Sequence, residues 1–377
     1  MAATDPGFQE SNLRTAQIRD LGLKIEGTRL EPIIADFQKE LEAVGLKRLQ
    51  PRFYLSTEWG VAFGAISIAL PFYLAKPELE EIQAEQVGHI EGVSHADILR
   101  YLRHEMGHVV NYAFRLYEQP EWVKLFGSIT QPYIEEYSPK PFSRRFVRHL
   151  PGWYAQKHPD EDWAETFAVW MTPPNLGSAP GSGPGSCPGS APGSGNGDPA
   201  HVSGKSTEPI WRKTYEKWPS ALAKLEYCDR VIAELRESDP PVKAEDRDQD
   251  VTELSYSLHD YYSELGQGAD DLPPGIEGAL TSIFEDMGLP EDSSPTTPRK
   301  PASGLIRRME RNLVANVFRW TGHFPERTRP LVRYLAKRAD ELNQVYPADK
   351  ESEVAVAITT LVTALAMNHV HRGTYMP

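Results

Sequence analysis

Between Gly177 and Gly197, 17 of 21 residues are Gly, Ser or Pro, written as a PGSx tetrapeptide that starts at Pro180, Pro184, Pro188 and Pro192. A stretch with no apolar surface cannot offset the entropy of ordering its backbone, so it predicts a disordered insertion over 175–206. Any core must be assembled from the sequence on its two sides. With 377 residues and roughly 150 to a domain, about two domains are expected. Polar stretches at Ser238–Gln249, containing Pro240-Pro241, and at Pro290–Pro301 mark further candidate linkers. The expected division is a first domain over 1–240, carrying the insertion, and a helical second domain over 241–377.

Forty Lys and Arg against 53 Asp and Glu give a net charge of −13 and a pI near 5.4. So acidic a balance argues against nucleic acid or an anionic membrane as the main partner. No unbroken apolar run approaches the ~20 residues of a bilayer helix. The opening MAATDPGFQESN lacks the charged-then-apolar design of a signal peptide. Two cysteines, Cys187 and Cys228, are too few for a disulfide framework or a Cys-rich zinc ribbon. The expectation is a cytoplasmic protein.

Periodicity supplies the elements. Leu30, Ile33, Ile34, Phe37, Leu41 and Val44 keep helical spacing, with Gly45 as a stop. Phe53–Ala75 is rich in aromatic and small apolar residues and is punctuated by Gly60, Gly64 and Pro71, which predicts two or three strands of a buried sheet. Ser94 and Asp97 have the form of a capping box opening a helix over 94–117. A second helix, Asp160–Met171, stops at Pro173-Pro174. Helices are also predicted for Trp211–Leu235 and throughout from Val251, so the whole reads as α+β followed by a helical bundle.

Inside the 94–117 helix stands His104-Glu105-Met106-Gly107-His108. Two imidazoles at i and i+4 leave one helix face a turn apart, a spacing that suits two nitrogens at ~2.0–2.1 Å from one Zn²⁺. The glutamate between them is placed to take a proton from an attacking water. On the helical wheel both histidines lie beside the core stripe of Ile98, Leu102, Met106 and Val109. Such a site needs a third protein ligand. Gly152–Trp170 reads GWYAQKHPDEDWAETFAVW, and its helix is apolar over about half its circumference. Carboxylates on so buried a helix need a reason, which makes Glu161, Asp162 and Glu165 the candidate ligands. Glu161 and Glu165 share a face, so one could bind metal while the other accepts a hydrogen bond from a ligand imidazole. The plainer alternative is that these acids complement the helix dipole.

The HExGH pentad followed by E-D-W-A-E-T-F-A resembles the gluzincin metallopeptidases, in particular the bacterial zinc-binding metallopeptidase family with its DWAET-type helix. A looser likeness links it to the lethal-factor-type catalytic domain with its E-x-x-x-E helix. The likeness spans roughly Phe53 to Leu235. It implies a gluzincin-like domain with a twisted sheet over the HExxH helix, Zn²⁺ as cofactor, His104 and His108 as ligands, and Glu105 as base. Glu161 would be the third ligand, and it also lies nearest the apolar arc of its helix. Glu165 would stand behind a ligand. Tyr154 matches the place of a tyrosine near the substrate in the lethal-factor-type site, where a phenol could stabilise an oxyanion or help protonate the leaving amine. A strand within Val61–Leu70 would run along the cleft and pair with an extended peptide.

The function expected is hydrolysis of peptide bonds in a peptide or protein substrate by zinc-activated water, with a glutamate base. The competing reading is a catalytically inert zinc-binding scaffold whose C-terminal helices recruit partners, although an inert site need not keep the pentad's glutamate. His369 and His371, at i and i+2, diverge on a helix, and Arg144, Arg145 and Arg148 read as a solvated basic face.

Overall fold

A computed structural model describes residues 13–134, 137, 139–140, 142–173, 209–265, 276–286, 298–373 and 375. The PGSx tract with Cys187, and most of the polar stretch at 290–301, lie outside the described residues.

The first core begins with α1 (Leu30–Ala43), which buries the predicted stripe of Leu30, Ile33, Ile34, Phe37 and Leu41. Gly45 then turns the chain at φ +89°, a left-handed conformation open to glycine. The Phe53–Ala75 stretch yields two strands, β1 (Arg52–Ser56) and β2 (Ser67–Pro71), paired in parallel with Phe53 opposite Ile68 and Leu55 opposite Leu70. All five residues of β2 are buried, hence its apolar run without alternation. Instead of a broad twisted sheet the region holds this one pair. Nor is β2 an open edge for an extended peptide. β1 occupies one side, and on the other the Ala69 N–H donates to the Gly60 carbonyl at 2.8 Å.

After α2 (Pro77–Gln86) comes the long α3 (His95–Ala113), whose capping box forms as expected. The Asp97 N–H donates to Ser94 Oγ at 3.1 Å, and the Ser94 N–H to Asp97 Oδ2 at 3.3 Å. α3 ends four residues early because Arg115 turns left-handed, at φ +52°. A short α4 (Pro120–Phe126) leads towards α5 (Pro159–Met171), which lies across α3. The helix predicted over 211–235 is two, α6 (Ile210–Thr214) and α7 (Pro219–Leu235), since Pro219 has no N–H to continue the ladder.

The polar 238–249 stretch is more than a linker. The Ile66 N–H donates to the Ala244 carbonyl at 2.8 Å, the Val242 N–H to Ala113 at 3.2 Å, and the Val251 N–H to Leu55 at 3.0 Å. Its backbone thus stitches β1 and α3 together. Val251, Leu254 and, on α8 (Leu258–Leu265), Leu258 and Tyr262 then complete the first core, which therefore runs past residue 240.

A second core lies in the C-terminal part. It is formed by α9 (Ile276–Asp286), α10 (Ala302–Thr321), α11 (Pro325–Glu341) and α12 (Glu351–Arg372), through Ile306, Leu313, Val317, Leu331, Leu335 and Ile358. It is not wholly helical, because β3 (Arg299–Pro301) and β4 (Val345–Pro347) pair antiparallel beside it. α12 carries no Asp, Glu, Lys or Arg from Val354 to Val370, and is long and apolar enough to cross a membrane by length and composition. Counting only unbroken apolar residues passes over its threonines. Val354, Ile358, Val362 and Leu365 pack it into the bundle. The fold is thus mixed and mainly helical, with two small sheets and a helical C-terminal part.

Candidate metal centre

Gly107, the small residue of the pentad, sets the approach of α3 to α5. A Cβ there would stand 2.6 Å from Ala164 Cα, so only glycine admits the contact. The Trp163 indole N–H donates to the Gly107 carbonyl at 2.7 Å and fixes the two helices at that point. Acids in the first two turns of α5 consequently meet the imidazoles of α3.

Glu161 Oε2 lies 3.0 Å from His104 Nε2 and 3.3 Å from His108 Nε2, and the two nitrogens are 3.3 Å apart. Ligands bound tetrahedrally at ~2.0–2.1 Å stand about 3.3 Å from one another, so these three atoms already have the spacing of three corners. Two imidazole nitrogens and one carboxylate oxygen are a donor set that suits zinc. The residues are only 2, 7 and 4 % exposed, and three buried polar groups so close need a shared reason.

The far nitrogens of both rings are also held. His104 Nδ1 meets Glu165 Oε1 at 3.1 Å, and Glu165 accepts the backbone N–H groups of His149 at 2.9 Å and Leu150 at 3.0 Å. His108 Nδ1 meets Asp160 Oδ2 at 3.0 Å, while Asp160 accepts the Asn111 amide at 2.7 Å and the Tyr112 hydroxyl. With a carboxylate at each Nδ1, that nitrogen carries the proton and Nε2 is turned towards the common point. Burial disfavours charge on His104, but Glu161 and Glu165 outweigh it and hold the imidazole up at about 9. Burial also opposes charge on Glu161, yet His108 and His104 keep its carboxyl well below the usual range.

The Tyr133 hydroxyl donates to the other oxygen of Glu161, Oε1, at 2.5 Å. Tyr154 packs edge-on to His104, with ring centroids 5.5 Å apart, and its hydroxyl is 3.5 Å from that of Tyr133. The chain reaches this position through consecutive left-handed residues, Gly152 at φ +80° and Trp153 at φ +62°. The Arg148 guanidinium caps the Trp153 ring at 3.8 Å, so one member of the basic cluster is used in packing. Burial pushes the Tyr154 phenol well above its ordinary value.

Glu105 is buried and its Oε2 finds no partner among the described residues. It lines a cavity of about 350 Å³ together with His104 and Tyr154. Burial pushes its carboxyl up, against the pull of the two imidazoles. Asp162 goes elsewhere: its Oδ2 pairs with the Lys224 ammonium of α7 on a different face of α5, and burial pushes its carboxyl up to about 7 against that ammonium's pull.

The structure thus gathers His104, Glu105, His108, Tyr154, Glu161 and Glu165 around one point and takes Asp162 away from it. Asp160 and Tyr133 were absent from the sequence-derived set. Asp160 reads as one more first-turn acid, and the only hint of its place was Asn111 and Tyr112 on the ligand-bearing arc of α3.

Residues 77–174 match the profile of a family described as "Putative zinc-binding metallo-peptidase", a span that takes in every residue of this cluster. The family is zinc-binding, and the buried His104–His108–Glu161 group could hold a metal ion. No curated protein and no solved structure matches the chain.

Proposed function

We propose that this chain is a zinc-dependent metallopeptidase of the gluzincin type that cleaves peptide bonds in a peptide or protein substrate. One observation carries the reading: three donors at tetrahedral spacing beside a buried Glu105 oxygen that has no partner among the described residues, on the wall of a cavity. Zinc held by His104, His108 and Glu161 would polarise a carbonyl and lower the pKa of water. Glu105 takes the proton of the attacking water and passes it to the amine that leaves as the C–N bond breaks. A carboxyl lifted by burial suits both halves of that exchange. Tyr154, kept protonated by its surroundings, donates to the oxygen that gains negative charge. Glu165 and Asp160 hold the rings, and Tyr133 orients Glu161.

The test is cleavage of a peptide library by the full chain, read by mass spectrometry with and without a chelator. Chelator-sensitive products are expected. Glu105→Gln should keep one equivalent of zinc and lose at least ~100-fold in rate. Undiminished turnover by that variant would remove Glu105 as the base. A zinc-loaded chain that cuts nothing would be the inert scaffold instead.

A further inference from the structure

The cavity beside Glu105 extends away from the metal centre and is walled by both cores. Glu58 and Trp59 come from the loop after β1, Glu91 from the loop before α3, and Phe324 and Glu326 from the start of α11. Four carboxylates therefore line one space: Glu58, Glu91, Glu105 and Glu326. They feel one another, since burial lifts Glu91 to about 7 and Glu326, Glu58 and Glu105 add to the push. Among the described residues no lysine or arginine pairs with Glu91 or Glu326. The one lysine on the lining, Lys157, sits over the rings of Tyr133 and Tyr154 at 4.4 and 5.3 Å, and His104, at the metal-centre end of the space, only partly offsets the push on Glu91.

Two further observations point to an absent hydrogen-bonding partner. Glu105 Oε2 and His89 Nε2 are buried on this lining with no hydrogen-bond partner among the described residues. Aromatic rings make up much of the remaining wall, with Trp59 stacked on Tyr101 at 5.2 Å and Tyr261 and Phe324 also on the lining. Carboxylates set among ring faces favour a cation over a neutral or anionic group.

We propose that this cavity takes a cationic nitrogen of the substrate, either a free α-ammonium or a lysine or arginine side chain, against Glu91 and Glu326. The assignment rests on the peptidase reading for the bond that is cut, but not for the group that is bound. The α-ammonium would make the enzyme an aminopeptidase, and the side chain would direct cleavage beside basic residues.

Calorimetric titration of the full chain, with and without zinc, tests it with three probes. L-leucinamide carries the α-ammonium, Nα-acetyl-L-lysinamide only the side-chain cation, and Nα-acetyl-L-leucinamide neither. At least one cationic probe should bind tenfold or more tightly than the neutral one, and which of them does so identifies the source. Glu326 is exposed in the first turn of α11, so Glu326→Gln leaves both cores intact. That variant should cut the preference below threefold without changing affinity for the neutral probe. Glu91→Gln should act in the same direction, with thermal melting as its folding control. Equal binding of all three probes, or equal weakening of all three by Glu326→Gln, overturns the subsite. Cleavage without cation preference would fault the subsite alone, whereas cation preference without cleavage would fault only the peptidase.

Discussion

The α10–α11 pair closes on Ile306, Leu313, Val317, Leu331 and Leu335, with side chains of ordinary size between the helices. The α3–α5 pair closes on Gly107 against Ala164, and puts two histidines and three carboxylates into the contact. An apolar contact asks only for suitable size and pattern, and tolerates substitutions of similar volume. A polar one depends on most of its donors and acceptors being met, because a partner missing on one side costs more than a partner present gains. In α3–α5 the arrangement works because Asn111, Tyr112, Tyr133 and two backbone N–H groups complete the carboxylates. Helix contact in the C-terminal part serves stability, and in α3–α5 it is given over to a group that could hold a metal ion.

Substitutions on the two pairs sharpen this contrast. The largest stability effect should come from Asp162→Asn, which strands Lys224 in the interior. A loss of about 3 kcal/mol is expected, the low end for breaking a buried pair because burial already disfavours the Asp162 charge. Denaturant titration measures it, and zinc stoichiometry should stay at one because Asp162 faces away from the cluster. Gly107→Ala should follow, at about 2 kcal/mol, through a methyl group forced onto the Ala164 backbone. Unlike Asp162→Asn it should also weaken zinc binding, and a variant with native affinity would show that the helices can part without disturbing the cluster. Asp160→Asn replaces the charged acceptor behind His108 with a neutral amide that has one acceptor oxygen instead of two, and should lower zinc affinity ~10–100-fold in a competitive chelator titration. The smallest effect is of opposite sign. A methyl group at Gly304 of α10 would meet no neighbour closer than 3.6 Å, so Gly304→Ala should stabilise by roughly 0.5–1 kcal/mol in thermal melts and leave zinc affinity alone.

Much of α3 could be read from its residues because its determinants are local. Ser94 and Asp97 cap each other three residues apart, and the imidazoles share a face by helical geometry alone. The apolar stripe of α1 was legible for the same reason. Glu161 and Glu165 were harder, since they share one face of α5 and differ by a single turn. That turn carries Glu165 to His104 Nδ1 and the backbone of His149 and Leu150, while Glu161 reaches both Nε2 atoms. What depended on distant partners was not legible. A fully buried strand shows no alternation, so nothing in Ser67–Pro71 announces a parallel neighbour. The polar 238–249 stretch contributes through backbone groups, to which composition is blind. Tyr133 reaches Glu161 from 28 positions away in sequence, with no periodicity to betray it.

Phe324 and Glu326 belong to a body with its own apolar centre, yet they wall the space in front of Glu105. Heredity can therefore treat the two sides of that space separately. Drift at the start of α11 would reshape that space while the His104–His108–Glu161 cluster stays untouched, so chains that share the α3–α5 contact need not share what the space admits.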